Sequence, residues 1–231
     1  MHIEPGIVEG AKMTLSYATA IGVFGYTAKL ALNSIKQDGI IPLGIRSLIA
    51  AALVFSFFEV FPHYPIGVSE VHLILGSTLF LMFGAAPAAI GLALGLLTQG
   101  LFFAPWDLPQ YGMNMTTLLV PLFALSAIAH RYIPEKTAYK DVKYSQCLAL
   151  STAYQGGVVA WVAFWAIYGQ GVGAANLAQI GTFGVAYMSI VLIEPLLDLA
   201  ILAAVKSLHQ LQDSTVFQQR FYRVAAARVG S

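Results

Sequence analysis

Seven stretches of nearly uninterrupted apolar residues dominate the sequence and limit the folds that are open to it. A helix that crosses the hydrocarbon core of a bilayer needs about 20 such residues. Only 10% of the 231 residues are charged, whereas soluble domains carry about 25%. The stretches cover residues 12–33, 40–61, 71–84, 87–104, 113–130, 146–168 and 177–206. The sequence therefore predicts an all-α, polytopic integral membrane helical bundle with about seven transmembrane helices.

The third and fourth stretches are short for spanning helices. Gly84 and Pro87 separate them, so residues 71–104 form either two short spans or one re-entrant pair. We favour two spans. The fourth stretch also contains Gly91 and Gly95, a spacing of small residues that is typical of closely packed membrane helices.

Basic residues concentrate in alternate connections, and this asymmetry predicts the orientation of the chain. Cytoplasmic loops of membrane proteins carry an excess of Lys and Arg. The connections at 62–70, 105–112 and 169–176 contain neither residue, and of the 12 basic residues only Lys12 lies on their side. The opposite side holds Lys29, Lys36, Arg46, Arg131, Lys136, Lys140, Lys143, Lys206, Arg220, Arg223 and Arg228. We therefore expect the N-terminus outside, a transmembrane domain over 1–206, and a cytoplasmic tail over 207–231 that is either an amphipathic helix or disordered.

Composition and missing motifs exclude several classes of function. A net charge of +1 provides no basic field for nucleic acid. The sequence contains no G-x-x-x-x-G-K-[ST], no H-E-x-x-H and no G-x-S-x-G, so we expect neither ATP binding through a P-loop nor an intrinsic enzyme activity. The single cysteine, Cys147, excludes an internal disulfide and a cysteine-rich metal site.

The opening dipeptide Met1-His2 contains three nitrogen donors that a single metal ion can bind. No basic n-region precedes an apolar run within residues 1–10, so we expect no cleaved signal peptide and a free α-amine on Met1. That amine, the amide nitrogen of His2 and its Nδ1 close a five-membered and a six-membered ring in one plane. Planar nitrogen donors suit Ni(II) or Cu(II) better than Zn(II).

His72 is a candidate for a fourth nitrogen donor, and a histidine at the membrane interface is the other interpretation. His72 lies at the start of the third predicted span, on the same side of the membrane as the N-terminus, and Gly76 follows it by one predicted helical turn. A glycine at this position leaves room for another chain segment. His63 is a weaker candidate in the same outer connection, whereas His130 and His209 fall on the cytoplasmic side.

Two acidic residues, Glu194 and Asp198, lie inside the last predicted span. Charged groups at that depth are costly and usually functional. Their spacing places both on one helical face, and Pro195 between them frees a backbone carbonyl. A cation pathway, a docking site for a partner helix and a simple buried hydrogen bond all remain open as interpretations.

Four segments in order give the sequence a resemblance to a known family. They are Met1-His2-Ile3, residues 65–76 (PIGVSEVHLILG), residues 97–102 (LTQGLF) continuing to 111–114 (YGMN), and residues 191–194 (VLIE). These segments resemble the substrate-capture membrane subunit of energy-coupling-factor nickel and cobalt transporters, the CbiM/NikM family. The matches extend from Met1 to Glu194.

The resemblance implies that Met1, His2 and His72 bind a divalent metal ion, Ni²⁺ or Co²⁺, and the donor set also suits Cu²⁺. It further implies that Gln99 and Asn114 are polar groups that support the ligands or order the loops. The family works in an ATP-driven importer in a prokaryotic cytoplasmic membrane, together with a separate coupling transmembrane subunit and ATPase subunits.

Departures from the family pattern, such as Glu4-Pro5-Gly6 near the start and Pro195 directly after Glu194, keep an alternative open. The same scaffold would then serve as a structural or accessory subunit of a larger membrane protein complex. A carrier coupled to protons or cations through Glu194 and Asp198 is less favoured, since such carriers often show repeated halves and none is evident in this sequence.

Overall fold

Seven α-helices form most of the part of the chain that the computed structural model describes, residues 2–134 and 137–211. They are α1 (Met13–Asp38), α2 (Ile40–Phe55), α3 (Gly76–Phe83), α4 (Ala85–Phe102), α5 (Tyr111–Tyr132), α6 (Tyr144–Gln170) and α7 (Ala174–Leu211). A π-helical turn, Ser56–Val60, extends α2, and short 3₁₀ turns occupy Gly10–Lys12, Pro105–Gln110 and Tyr139–Asp141. Strands β1 (Tyr64–Ile66) and β2 (Ser69–Val71) form a small antiparallel hairpin.

Within residues 2–134 and 137–211, five helical segments are long and apolar enough to cross a membrane. They are Ile40–Val60, Ala85–Phe102, Pro105–Tyr132, Tyr144–Gln170 and Ala174–His209. Large apolar side chains on their outer faces, such as Leu48 on α2 and Leu192 on α7, are about two-thirds exposed or more (70% and 65%). Exposed apolar side chains are favourable in contact with lipid and unfavourable in contact with water. The prediction of an all-α integral membrane protein is therefore confirmed. Helix α1 has 26 residues but is not among the five.

The predicted third span, residues 71–84, is helical only over Gly76–Phe83 and is not a spanning helix; the choice between two spans and a re-entrant pair stays a prediction. Helix α3 has only eight residues and is about 12 Å long, whereas the hydrocarbon core measures about 30 Å. Residues 72–75 precede it without helical structure, and Leu75 has a φ of 53°. Irregular backbone inside a membrane protein requires buried hydrogen-bond partners, and Glu194 of α7 accepts a hydrogen bond from the amide of Ile74.

The connections without basic residues meet at one end of the bundle, which we call the N-terminal face. Lys12 Nζ donates a 2.6 Å hydrogen bond to the carbonyl oxygen of Gly169 near the end of α6. His2 lies 3.0 Å from a carboxylate oxygen of Asp107, in the connection before α5. The connections at 62–70, 105–112 and 169–176 therefore share this face with the N-terminal segment.

The basic connections meet at the other end, which we call the basic face. Lys206 Nζ donates a 2.5 Å hydrogen bond to the carbonyl oxygen of Lys140. A cavity of about 630 Å³ opens between Asp38, Phe83 and His130, near the ends of α1, α3 and α5. Because His72 lies at the N-terminal face and Phe83 at the basic face, residues 72–83 run through the bundle although α3 is short.

Helix α4 packs closely against α2 through the predicted pair of glycines. A Cβ atom added at Gly91 would lie 2.4 Å from the Cβ of Ala50, and one added at Gly95 would lie 2.6 Å from Cγ1 of Val54. Real side chains do not pack this closely, so only glycine permits this contact between the two backbones. This packing positions the end of α2 and the π-helical turn after it, which places Phe58 near the N-terminal face.

The last helix continues beyond the predicted boundary at residue 206. Helix α7 includes Pro195 and extends to Leu211, the last residue that the structure describes. Residues 212–231, which make up most of the predicted cytoplasmic tail, lie outside the described residues, as do Met1 and residues 135–136.

Candidate metal centre

The N-terminal segment docks beside β2 as a further extended strand. Ile3 forms an antiparallel bridge with Ser69, and the amide of Glu70 donates a 2.9 Å hydrogen bond to the carbonyl oxygen of His2. The hydroxyl of Ser69 donates a second bond, of 2.7 Å, to the same oxygen. His2 is 2% exposed and Ile3 is fully buried. The backbone of His2 is therefore held firmly against the strand that leads to His72.

Asn114 and Gln99 both bond to the backbone around this segment. Asn114 Oδ1 accepts a 2.7 Å hydrogen bond from the amide of Ile3. Gln99 Nε2 donates to the carbonyl oxygen of Phe58 at 3.3 Å. The ring of Phe58 lies 6.1 Å from the imidazole of His2 and 5.2 Å from that of His72. Both residues thus order the chain next to the two histidines.

His2 and His72 converge on one carboxylate oxygen. Glu70 Oε2 lies 3.0 Å from His2 Nδ1 and 2.7 Å from His72 Nε2, and the two imidazole centroids are 5.2 Å apart. The three side chains offer ligand atoms that all lie within 4.8 Å of one another. Two imidazole nitrogens and one carboxylate oxygen are a common donor set for divalent transition metals. Met1, the other predicted ligand, lies outside the described residues.

Further carboxylates surround His2 and make the site strongly anionic. Asp107 Oδ2 lies 3.0 Å from His2 Nδ1, and Glu4 has a buried oxygen without a hydrogen-bond partner among the described residues. Burial raises the pKa of Glu70, but the hydrogen bonds and the charges of His2 and His72 together outweigh this effect and hold its pKa well below the ordinary value. Burial, followed by the charges of Glu70 and Asp107, raises the pKa of Glu4. A bound cation would relieve the repulsion among these groups.

Glu70 and Asp107 were not predicted as members of the site. Glu70 precedes His72 by two residues, and alternate residues of an extended strand point to the same side. Residues 71–84 were predicted to be helical, and residues two positions apart do not share a face of a helix. The spacing of Glu70 and His72 therefore did not indicate a shared site. Asp107 is the only charged residue of the connection 105–112, and this isolation was the sequence feature that could have indicated it.

The predicted helical relation between His72 and Gly76 is wrong. His72 belongs to the segment before α3, and Gly76 is the first residue of that helix. Glycine does leave room for another chain segment, because a Cβ atom there would lie 2.3 Å from Cζ of Tyr154 on α6. His63 stacks on His72 with ring centroids 5.0 Å apart and is not part of the three-residue cluster. His130 lines the cavity at the basic face, as predicted for a residue that does not share the site.

Glu194 and Asp198 lie on one side of α7 and are both fully buried. The amide of Ile74 and the side-chain amide of Gln155 donate hydrogen bonds to Glu194. The hydroxyls of Ser77 and Thr78 donate to Asp198. The two carboxylates thus contact the segment that follows His72 and are not in the histidine cluster. These contacts are the buried hydrogen bonds that one interpretation of the sequence predicted.

Comparison with known proteins gives one family and one fold. The family model for CbiM, described as the cobalt uptake substrate-specific transmembrane region, matches residues 2–211. A crystal structure of a transition metal transporter is similar over 96% of this chain and 97% of its own, with a TM-score of 0.64 and 18% identity. A truncated transition metal transporter gives the same TM-score with 17% identity, over 93% of this chain and all of its own. At such identities, these structures show that the fold is shared. Comparison with curated proteins gives no match.

Proposed function

The chain belongs to the CbiM family, the substrate-specific transmembrane region of cobalt uptake, and on this premise we propose that it captures Ni²⁺ or Co²⁺ for an ATP-driven importer. The metal ion is the transported substrate. The observation that carries the proposal is the convergence of His2 Nδ1 and His72 Nε2 on a single point, now filled by Glu70 Oε2. These two donors come from chain segments 70 residues apart and are both buried.

The proposed ligand set combines both histidines with the N-terminus. His2 Nδ1 and His72 Nε2 supply two nitrogens, and the α-amine of Met1 and the amide nitrogen of His2 supply two more. Glu70 contributes negative charge and an oxygen donor at the same point. This additional carboxylate suits Ni²⁺ and Co²⁺, which accept mixed nitrogen and oxygen ligands, and the planar nitrogen set also admits Cu²⁺.

The proposed topology has seven crossings, with the N-terminus outside a prokaryotic cytoplasmic membrane and the C-terminus inside. Residues 72–83 form one crossing, part extended and part helical, and α1 forms another. The collection of Lys and Arg near the basic face supports this orientation. The sequence carries no P-loop, so separate ATPase subunits and a coupling transmembrane subunit would drive release of the metal into the cell.

The test is metal titration of the purified chain with its native N-terminus. We expect one Ni²⁺ or Co²⁺ per chain, lost when an extra residue precedes Met1 and greatly weakened in His72→Ala. His63→Ala is the matched control, because this ring stacks beside the site but offers no nitrogen to the cluster; it should retain binding. A native chain that takes up no Ni²⁺, Co²⁺ or Cu²⁺, and that copurifies with a membrane complex lacking ATPases, would favour the accessory-subunit alternative.

A further inference from the structure

The buried carboxylates of α7 have a structural connection to the metal centre that runs through the backbone. Glu194 accepts a hydrogen bond from the amide of Ile74, two residues after His72. One helical turn further along α7, Asp198 accepts hydrogen bonds from the hydroxyls of Ser77 and Thr78. Both acidic residues therefore contact the segment directly after His72, residues 74–78.

A second layer of hydrogen bonds holds Glu194 in place. Gln155 of α6 donates its side-chain amide to the second oxygen of Glu194. The hydroxyl of Tyr187 donates a 2.5 Å hydrogen bond to the carbonyl oxygen of the same Gln155 side chain. All three side chains are fully buried. The orientation of Glu194 is thus set by α6 and α7, and Ile74 is held by that orientation.

The segment needs such acceptors because it is not helical. The first amides of any helix lack partners within the helix, and an amide buried in a membrane protein has no water to replace them. The amide of Ile74 meets this requirement with an oxygen atom of Glu194, and the hydroxyls of Ser77 and Thr78, in the first turn of α3, bond to Asp198. Without those oxygen atoms the segment would have to move until its polar groups found other partners.

We infer that Glu194 and Asp198 are positioning residues, which hold residues 72–78 so that the Nε2 atom of His72 points at the metal. This inference rests on the proposed capture of Ni²⁺ or Co²⁺ and extends it to residues outside the histidine cluster. In this role the carboxylates act as hydrogen-bond acceptors and not as metal-binding sites on the transport pathway. What matters at position 194 is therefore an oxygen acceptor toward Ile74.

The experiment compares Glu194→Leu with Glu194→Gln in the full chain, using Ni²⁺ titration, the ligand-field absorption of bound Ni²⁺, and metal import by the assembled transporter. Leucine has a similar size but no acceptor, whereas glutamine keeps one oxygen for the amide of Ile74. We expect the dissociation constant of Glu194→Leu to rise at least about tenfold, as for partners that orient metal ligands, and its absorption to shift. Glu194→Gln should stay close to the wild type in binding, absorption and import.

A second variant tests the same inference if Glu194→Leu does not fold. Ser77→Ala combined with Thr78→Val removes the donors to Asp198 and leaves both carboxylates in place. It should also weaken Ni²⁺ binding. The matched control is Thr182→Val with Ser189→Ala, two hydroxyls of α7 that bond only within their own helix, and it should bind as the wild type does.

The outcomes separate this inference from the proposed function. Failure of the wild-type chain to bind any of the metals would refute the proposed function itself. If the wild type binds and either Glu194→Leu or Ser77→Ala with Thr78→Val binds equally well, the positioning role is wrong. If both substitutions at position 194 left Ni²⁺ binding unchanged but abolished metal import, Glu194 would instead be a cation-binding residue on the transport pathway.

Discussion

Replacing Gly76 by alanine tests whether the start of α3 fixes the metal ligand that precedes it. Gly76 lies four residues after His72 and faces Tyr154, which is fully buried in α6. A Cβ atom at position 76 would lie 2.3 Å from Cζ and 2.4 Å from Cε1 of that ring. The ring is enclosed on all sides, so the backbone of α3 has to move.

The size of the effect follows from this distance. Real Cβ contacts are essentially never shorter than 3.0 Å, so the two groups must separate by at least about 0.7 Å; overpacking of a buried contact typically costs about 1–3 kcal/mol. Metal–ligand distances are defined to about 0.2 Å, which is less than this displacement. We therefore expect the free energy of unfolding to fall by about 1–3 kcal/mol and Ni²⁺ affinity to fall about tenfold, which corresponds to about 1.4 kcal/mol.

Thermal unfolding in detergent and calorimetric titration with Ni²⁺ measure the two effects. Gly156→Ala is the matched control, because Gly156 lies in α6, within two residues of Tyr154, and has no atom within 4 Å of an added Cβ. This control should bind metal normally and lose no stability. If Gly76→Ala retains the stability and the Ni²⁺ affinity of Gly156→Ala, the start of α3 does not determine the position of His72.

Three further substitutions test the surroundings of the site, the first by Ni²⁺ titration, the second by amide hydrogen exchange, and the third by proteolysis together with Ni²⁺ titration. Glu70→Gln removes the charge at the point where the two imidazoles converge and should weaken binding about tenfold; equal affinity would exclude a role for its charge. Asn114→Ala leaves the buried amide of Ile3 without its acceptor at a cost of about 1–3 kcal/mol, so the N-terminal segment should exchange its amide hydrogens faster. Gly169→Ala places a Cβ 1.9 Å from the carbonyl oxygen of Ile7 and should displace this segment, seen as increased proteolysis near the N-terminus and weaker binding.

Apolar stretches predicted the all-α membrane fold, because they reflect the demands of the bilayer. A long apolar stretch in contact with lipid must satisfy its own backbone hydrogen bonds, and a helix does so regardless of its neighbours. Most predicted spans therefore appear as helices. Residues 71–84 are the exception, since their apolar character is equally compatible with an extended segment inside the bundle. Residues 72–75 of this segment are not helical, and the amide of Ile74 bonds to Glu194, which lies 120 residues away in sequence.

The sequence by itself determined the identity of the two histidines and the end of the bundle at which they lie. The nitrogen donors of Met1-His2 are a local property of two adjacent residues, and the grouping of connections at the two ends of the bundle follows the distribution of basic residues. The tertiary structure alone decided that Glu70, Asp107 and Glu4 surround His2, and that Glu194 and Asp198 hold the segment after His72. These contacts join residues that are distant in sequence, and they form only when tertiary packing brings those residues together and excludes water.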